Sequence, residues 1–140
     1  MNSDSALLDN GAAEIFIIER NILFWKYKPD NYVSKKDFLE MLTITNAYVE
    51  KYGKCYFIVE APVSMNFEVE MWRYVSKTNY EDRIALAIAM YTTGIQHNMM
   101  GKSYERKVTP LLPFKIFNNF SESLNWIKTI SLEQLSGLQT

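Results

Sequence analysis

The chain has 140 residues, 48% of them hydrophobic and 22% charged, which fits one domain whose core needs no disulfide or metal. Fifteen basic against 16 acidic residues give a net charge of −1, so no basic excess favours nucleic acid or an anionic membrane surface. A lone Cys55 and a lone His97 exclude an internal disulfide, a multi-cysteine zinc site and a His-rich metal cluster. The start "MNSDSALLDNGAAE" lacks the basic and apolar regions of a secretory signal, and no apolar run approaches the ~20 residues of a membrane span, so a cytoplasmic location is expected.

Residues 1–11 read as a flexible leader with Asn10-Gly11 as a turn. Two β-rich runs follow, Ala13–Ile18 and Ile22–Tyr27, and the short Glu19-Arg20-Asn21 link makes them a hairpin. In the second run Ile22, Phe24 and Lys26 face one way and Leu23, Trp25 and Tyr27 the other, so the strand is expected to be covered on both faces. Pro29, Asp30 and Asn31 end it. Ser34-Lys35-Lys36-Asp37 has the form of a capping box with Asp in the Glu position. The helix it starts runs to about Tyr52, buries Phe38, Leu42, Thr45, Val49 and Tyr52, and stops at Gly53. Cys55–Pro62 is a short apolar run, a buried and parallel strand closed by Pro62.

Phe67–Lys77 reads as a helix with Asn66 as N-cap and acids in its first turn. Arg83–Met90 is the next buried strand. "TTGIQHNMMG" gives a third helix that starts near Thr92 or Thr93 and stops at Gly101, and residues 102–112 form a polar loop ending in Pro110 and Pro113. Phe114–Phe117 is a last strand. Asn119-Phe120-Ser121-Glu122 caps a final helix with Leu124, Ile127 and Ile130 inward, and residues 132–140 form a flexible tail. Strands alternating with helices imply a single α/β domain over residues 12–131, with a mixed, mainly parallel sheet opened by an N-terminal β-hairpin.

Gly101-Lys102-Ser103 matches the end of the phosphate-binding pattern G-x-x-x-x-G-K-[ST], but Gln96 stands where the first glycine belongs. That loop also needs a strand before it and a helix N-terminus after it, whereas here the triplet follows a helix, at its negative end. No nucleotide is expected there.

The stretch "RIALAIAMYTTGIQHNMMG", a polar segment, and then "PFKIFNNFSESLNWI" resembles the second half of the SpoIIAA-like group of STAS-type domains, and in particular the small uncharacterised STAS/SEC14-like proteins common in Bacteroidetes. Met100-Gly101, Pro113 through Phe117 and Trp126-Ile127 stand where that group has a Leu-Gly pair, a Pro-x-x-x-Phe strand and a Trp-Leu helix end. The resemblance implies a SpoIIAA-like topology over residues 12–131. STAS-type antagonists are regulated at a serine just after a central strand, at the N-terminus of the following helix, and Ser64 in "EAPVSMNFE" is nearest by placement, without the surrounding Asp-Ser-Gly-type pattern. Turn chemistry alone explains Ser64 as a turn or cap hydroxyl.

For catalysis, Cys55 would need His97 within hydrogen-bond reach, and a buried thiol without a base is a small hydrophobe. Glu68 and Glu70 lie two apart on a helix and so on different faces. Glu81, Asp82 and Arg83 read as the solvated start of a strand. Met90, Tyr91, His97, Met99 and Tyr104 are the candidates for an adaptable apolar ligand or partner surface. The expected function is a non-enzymatic, STAS-like protein-interaction or regulatory module that docks a protein partner or itself, as a homodimer, without metal or cofactor. The alternative is a carrier of a small apolar ligand or lipid, as the SEC14 side of the resemblance implies. An enclosed apolar pocket of ligand size favours the carrier, a large flat apolar patch the docking module, and a Cys55–His97 contact a hydrolase.

Overall fold

Side-chain alternation along the first strands divides the molecule into two cores. The computed structural model describes residues 6–62, 64–92 and 95–139, the side chains of 95–100 and 137–139 excepted. Strands β1 (Ala6–Asp9), β2 (Ala13–Glu19) and β3 (Ile22–Tyr27) pair antiparallel in succession. On β3, Leu23, Trp25 and Tyr27 enter one apolar core while Ile22 and Phe24 enter the other, as a period of two requires. The strand β1 corrects the flexible leader: Ala6, Leu8 and Asp9 pair with Phe16, Ile15 and Glu14. Asn10 holds the turn between them, its Oδ1 accepting the Ala12 and Ala13 N–H groups at 2.9 Å each.

After the short β4 (Tyr32–Val33), helix α1 (Lys35–Tyr52) begins and ends where its caps dictate. Ser34 Oγ accepts the Asp37 N–H at 3.1 Å, and the N–H of Gly53, at φ +92°, reaches Val49 O at 2.7 Å. Phe38, Met41, Leu42, Thr45 and Tyr48 form its buried stripe. Tyr52, expected inside, is exposed; Tyr48 is buried in its stead and donates its hydroxyl to Arg20 O at 2.5 Å.

The remaining elements are β5 (Cys55–Glu60), β6 (Asn66–Phe67), α2 (Val69–Lys77), α3 (Tyr80–Ile84), β7 (Ala85–Tyr91), α4 (Ile95–Val108), β8 (Phe114–Phe117) and α5 (Phe120–Gln139). The main sheet runs β1-β2-β3-β5-β7-β8, antiparallel as far as β3 and parallel beyond it, and β4 and β6 form a separate parallel pair. The connections β3-α1-β5, β5-α2-α3-β7 and β7-α4-β8 advance in one direction across the sheet. Right-handed crossovers therefore stack α1 to α4 on a single face. Among the described residues, α5 is the helix that covers the other face, through Phe120, Leu124, Ile127 and Ile130. The architecture is α/β with a mixed, mostly parallel sheet, as expected.

Four boundaries differ from the sequence reading. Helix α2 starts at Val69 because Asn66 and Phe67 pair with β4, so Asn66 is no cap and Glu68 precedes the helix without a side-chain cap bond. The turn α3 occupies residues 80–84, and β7 begins only at Ala85. Helix α4 runs through Gly101 to Val108, across the segment read as a polar loop. A mid-helix glycine costs about 1 kcal/mol, but here a Cβ would meet Ile116 Cδ1 at 3.0 Å and Met90 Sδ at 3.6 Å, so glycine lets the helix approach the sheet. Lys102 and Ser103 thus lie exposed inside a helix, with no free helix N-terminus at Gly101 to hold phosphate. Finally, α5 extends through the supposed tail to Gln139, and the Gln134 side chain ties it to the sheet by accepting the Tyr56 hydroxyl at 2.5 Å.

Candidate functional site

The sheet face carrying Trp25, Tyr27, Phe57 and Ile88 is roofed by α2, α3 and α4, and a cavity of about 70 Å³ remains between them. Fifteen side chains line it, and nine are aromatic: Trp25, Tyr27, Phe38, Phe57, Phe67, Trp72, Tyr80, Tyr104 and Phe114. These rings meet edge to face, Trp25 against Phe57 at 5.7 Å, Phe38 against Tyr80 at 5.3 Å and Tyr104 against Phe114 at 5.4 Å. Outside the cavity an open groove of about 440 Å³ runs between α2 and α4, walled by Trp72, Val75, Ser76, Ser103, Tyr104 and Lys107. Trp72, Val75 and Tyr104 belong to both spaces and form the partition between them.

A buried polar chain closes this end of the cavity. Glu81, read from sequence as solvated, is 0% exposed. Its carboxylate accepts the Tyr104 hydroxyl at 2.6 Å and the Lys107 ammonium at 2.8 Å. Since the Tyr104 proton goes to Glu81, the Tyr80 hydroxyl donates to Tyr104, at 2.6 Å. Lys107 also lies 5.4 Å over the Tyr80 ring and 5.7 Å over the Tyr104 ring. Burial, with the negative charge of Glu81 beside them, raises both tyrosine hydroxyls well above their usual range, so they stay protonated donors. In the lining, the Trp25 indole Nε1 is buried with no hydrogen-bond partner.

The residues singled out from sequence divide between places. Met90 and Tyr104 meet at the cavity. Tyr91, next to Met90 on β7, points to the opposite face and donates its hydroxyl to Glu60 Oε2 at 2.9 Å, so it shares no surface with them. The side chains of His97 and Met99 lie outside the described residues. Ser64 does not sit at a helix N-terminus: β6 and Glu68 separate it from α2. Its Oγ accepts the N–H of Asp30, a residue at φ +53°, at 2.8 Å, which is a turn-stapling role. Val63 of the same turn lies outside the described residues.

Cys55 is fully buried at the start of β5, and desolvation raises its thiol to about 11. It pairs with Ala85, the first residue of β7, while residue 97 follows the far end of that strand. The side chain of His97, the base that a nucleophilic Cys55 would need, lies outside the described residues. Among the described residues no three His, Cys, Asp or Glu side chains gather as metal ligands, and no helix is long and apolar enough to cross a membrane.

Residues 16–131 match the model of a domain of unknown function, DUF7793. The chain belongs to that family. No curated protein matches it in sequence. Among solved structures it is similar to an uncharacterised DUF3478-family protein with a SpoIIAA-like fold from Shewanella loihica PV-4, at 12% identity and a TM-score of 0.63, over 83% of this chain and 92% of that one. The DUF7793 chain therefore has the SpoIIAA-like fold that its second half suggested, and a likeness at this identity carries the fold alone.

Sequence reasoning missed Trp25, Trp72, Glu81 and Lys107. A signal was present for α4: Gly101, Tyr104 and Val108 recur at helical spacing, and continuing the helix places Lys107 beside Tyr104. Nothing local marked Glu81, whose burial comes from packing under α4.

Proposed function

We propose that this SpoIIAA-like domain is a non-catalytic binding module that takes a small apolar molecule between its sheet and the α2–α4 roof. The observation that carries the reading is the aromatic cavity itself, with its neighbouring groove. At about 70 Å³ the cavity is smaller than the engineered cavity of roughly 150 Å³ that accepts benzene. A ring therefore enters only if the partition moves outward into the groove. Helix α2 suits that motion: it has nine residues, buries only Met71 and Val75, and has no side-chain cap, Glu68 accepting instead from the Lys35 N–H at 3.3 Å. The buried thiol of Cys55 supports a role without chemistry.

The test is an NMR titration of the labelled protein with α-methylstyrene. Binding is expected to shift amide signals of α2 and of Trp25, Phe57 and Tyr104, and the cavity-filling Val75→Phe is expected to suppress it. Shifts spread over the surface, or none up to the solubility of the compound, overturn the reading.

One observation favours a second reading, docking between two copies. Leu132 and Leu135 of α5 lie three apart on one helix face and are 66% and 53% exposed. Sedimentation at rising concentration, with and without Leu132→Glu plus Leu135→Glu, decides it; a wild type that stays monomeric removes the homodimer.

A further inference from the structure

Resting on the cavity as a ligand site, we infer that its ligand is a flat, uncharged ring bearing one hydrogen-bond acceptor, which the indole N–H of Trp25 holds.

The shape follows from the walls. With nine of 15 lining side chains aromatic and meeting edge to face, the cavity offers ring faces and edges, the partners that another planar ring packs against best. The polarity follows from which groups are already engaged. The Tyr80 proton is given to Tyr104, the Tyr104 proton to Glu81, and the Glu81 charge is met by Lys107. No side chain of the lining carries a charge. Trp25 is different: it is 3% exposed, it lines the cavity, and its Nε1 has no partner. A buried Trp N–H ordinarily finds an acceptor, and leaving it without one costs more than a hydrogen bond returns. The indole N–H only donates, so any partner it takes is an acceptor, such as a ligand oxygen or ring nitrogen. Among the described residues the other buried side-chain polar atom without a partner, Thr45 Oγ1, lies on α1 outside the lining.

Acetophenone and α-methylstyrene have nearly the same shape and differ in a C=O for a C=CH2, so they separate the acceptor from the ring. The protein carries three tryptophans, and the Trp25 indole signal is the one lost in Trp25→Phe. Acetophenone is expected to move the Trp25 indole proton downfield and α-methylstyrene to leave it near its free position. In Trp25→Phe the affinity of acetophenone relative to α-methylstyrene is expected to fall about tenfold, one neutral hydrogen bond. If both compounds shift the lining alike and Trp25→Phe leaves their ratio unchanged, the acceptor inference fails and the cavity reading stands. If neither compound touches the lining, both fail. Should Trp25→Phe not fold, the contrast between the two compounds on the wild-type indole signal decides alone.

Discussion

Lys107→Met keeps the length of the side chain and removes the cation that faces Glu81. The carboxylate is then left fully buried with the Tyr104 hydroxyl at 2.6 Å as its remaining partner. Removing one member of a buried pair costs about 3–5 kcal/mol. The Lys107 side chain is 21% exposed, so water already shares in solvating it and the lower end, about 3 kcal/mol, applies. That is a large part of the ~5–15 kcal/mol of a typical domain. With a urea slope of about 2 kcal/mol/M, the unfolding midpoint falls by about 1.5 M. Glu81→Gln added to Lys107→Met is expected to restore most of the loss, because the amide oxygen still accepts the Tyr104 hydroxyl and no charge remains buried. Urea denaturation followed by circular dichroism reads both variants. A single variant within about 0.3 M of the wild type, or a double no more stable than the single, refutes the argument that Lys107 neutralises a buried charge.

Ile127 is fully buried at the centre of the α5 contact, so Ile127→Ala is expected to cost about 2–5 kcal/mol. Trp126, half-buried beside Phe117 at 5.7 Å, is expected to cost less on truncation, and reversed urea midpoints would show that the helix is seated differently. Gly101→Val should lower stability by about 1–3 kcal/mol in thermal melts, since its Cβ alone meets Ile116 at 3.0 Å; an unchanged melting temperature contradicts the close approach of α4 to the sheet. The thiol of Cys55 and the hydroxyls of Tyr80 and Tyr104 are raised by burial above their ordinary values of 9.0 and 10.0. Above those values the unfolded chain releases protons that the folded chain keeps. The stability these groups confer is therefore complete below about pH 9 and lost as pH rises through 11 and beyond, by up to about 1.4 kcal/mol per pH unit and group. Urea midpoints at about pH 8 and pH 10.5 check this; a midpoint that holds or rises at the higher pH excludes it.

Strands β2, β3, β5, β7 and β8, the α/β class and the ends of α1 were legible in the sequence, because each is set by neighbours in the chain. Ser34 and Asp37 lie three residues apart, Gly53 follows Tyr52, and the alternation of Ile22 to Tyr27 sorts itself onto two faces through the pleat alone. The misread segments are those where a distant contact outweighs a local preference. Gly101 looks like a stop until Ile116 and Met90 are placed against it. Asn66 looks like a cap until β4 pairs with it, and the tail looks free until Tyr56 binds Gln134, 78 residues away. The candidate site is of the same kind. Its lining comes from β3, α1, β5, β6, α2, α3, β7, α4 and β8, the Glu81–Lys107 pair beside it joins residues 26 apart, and its indole donor sits on a strand that reads as ordinary core. An aromatic residue carries the same local pattern whether it fills a core or walls a cavity, and only the packing of non-adjacent elements leaves a cavity among nine rings and an indole N–H without an acceptor.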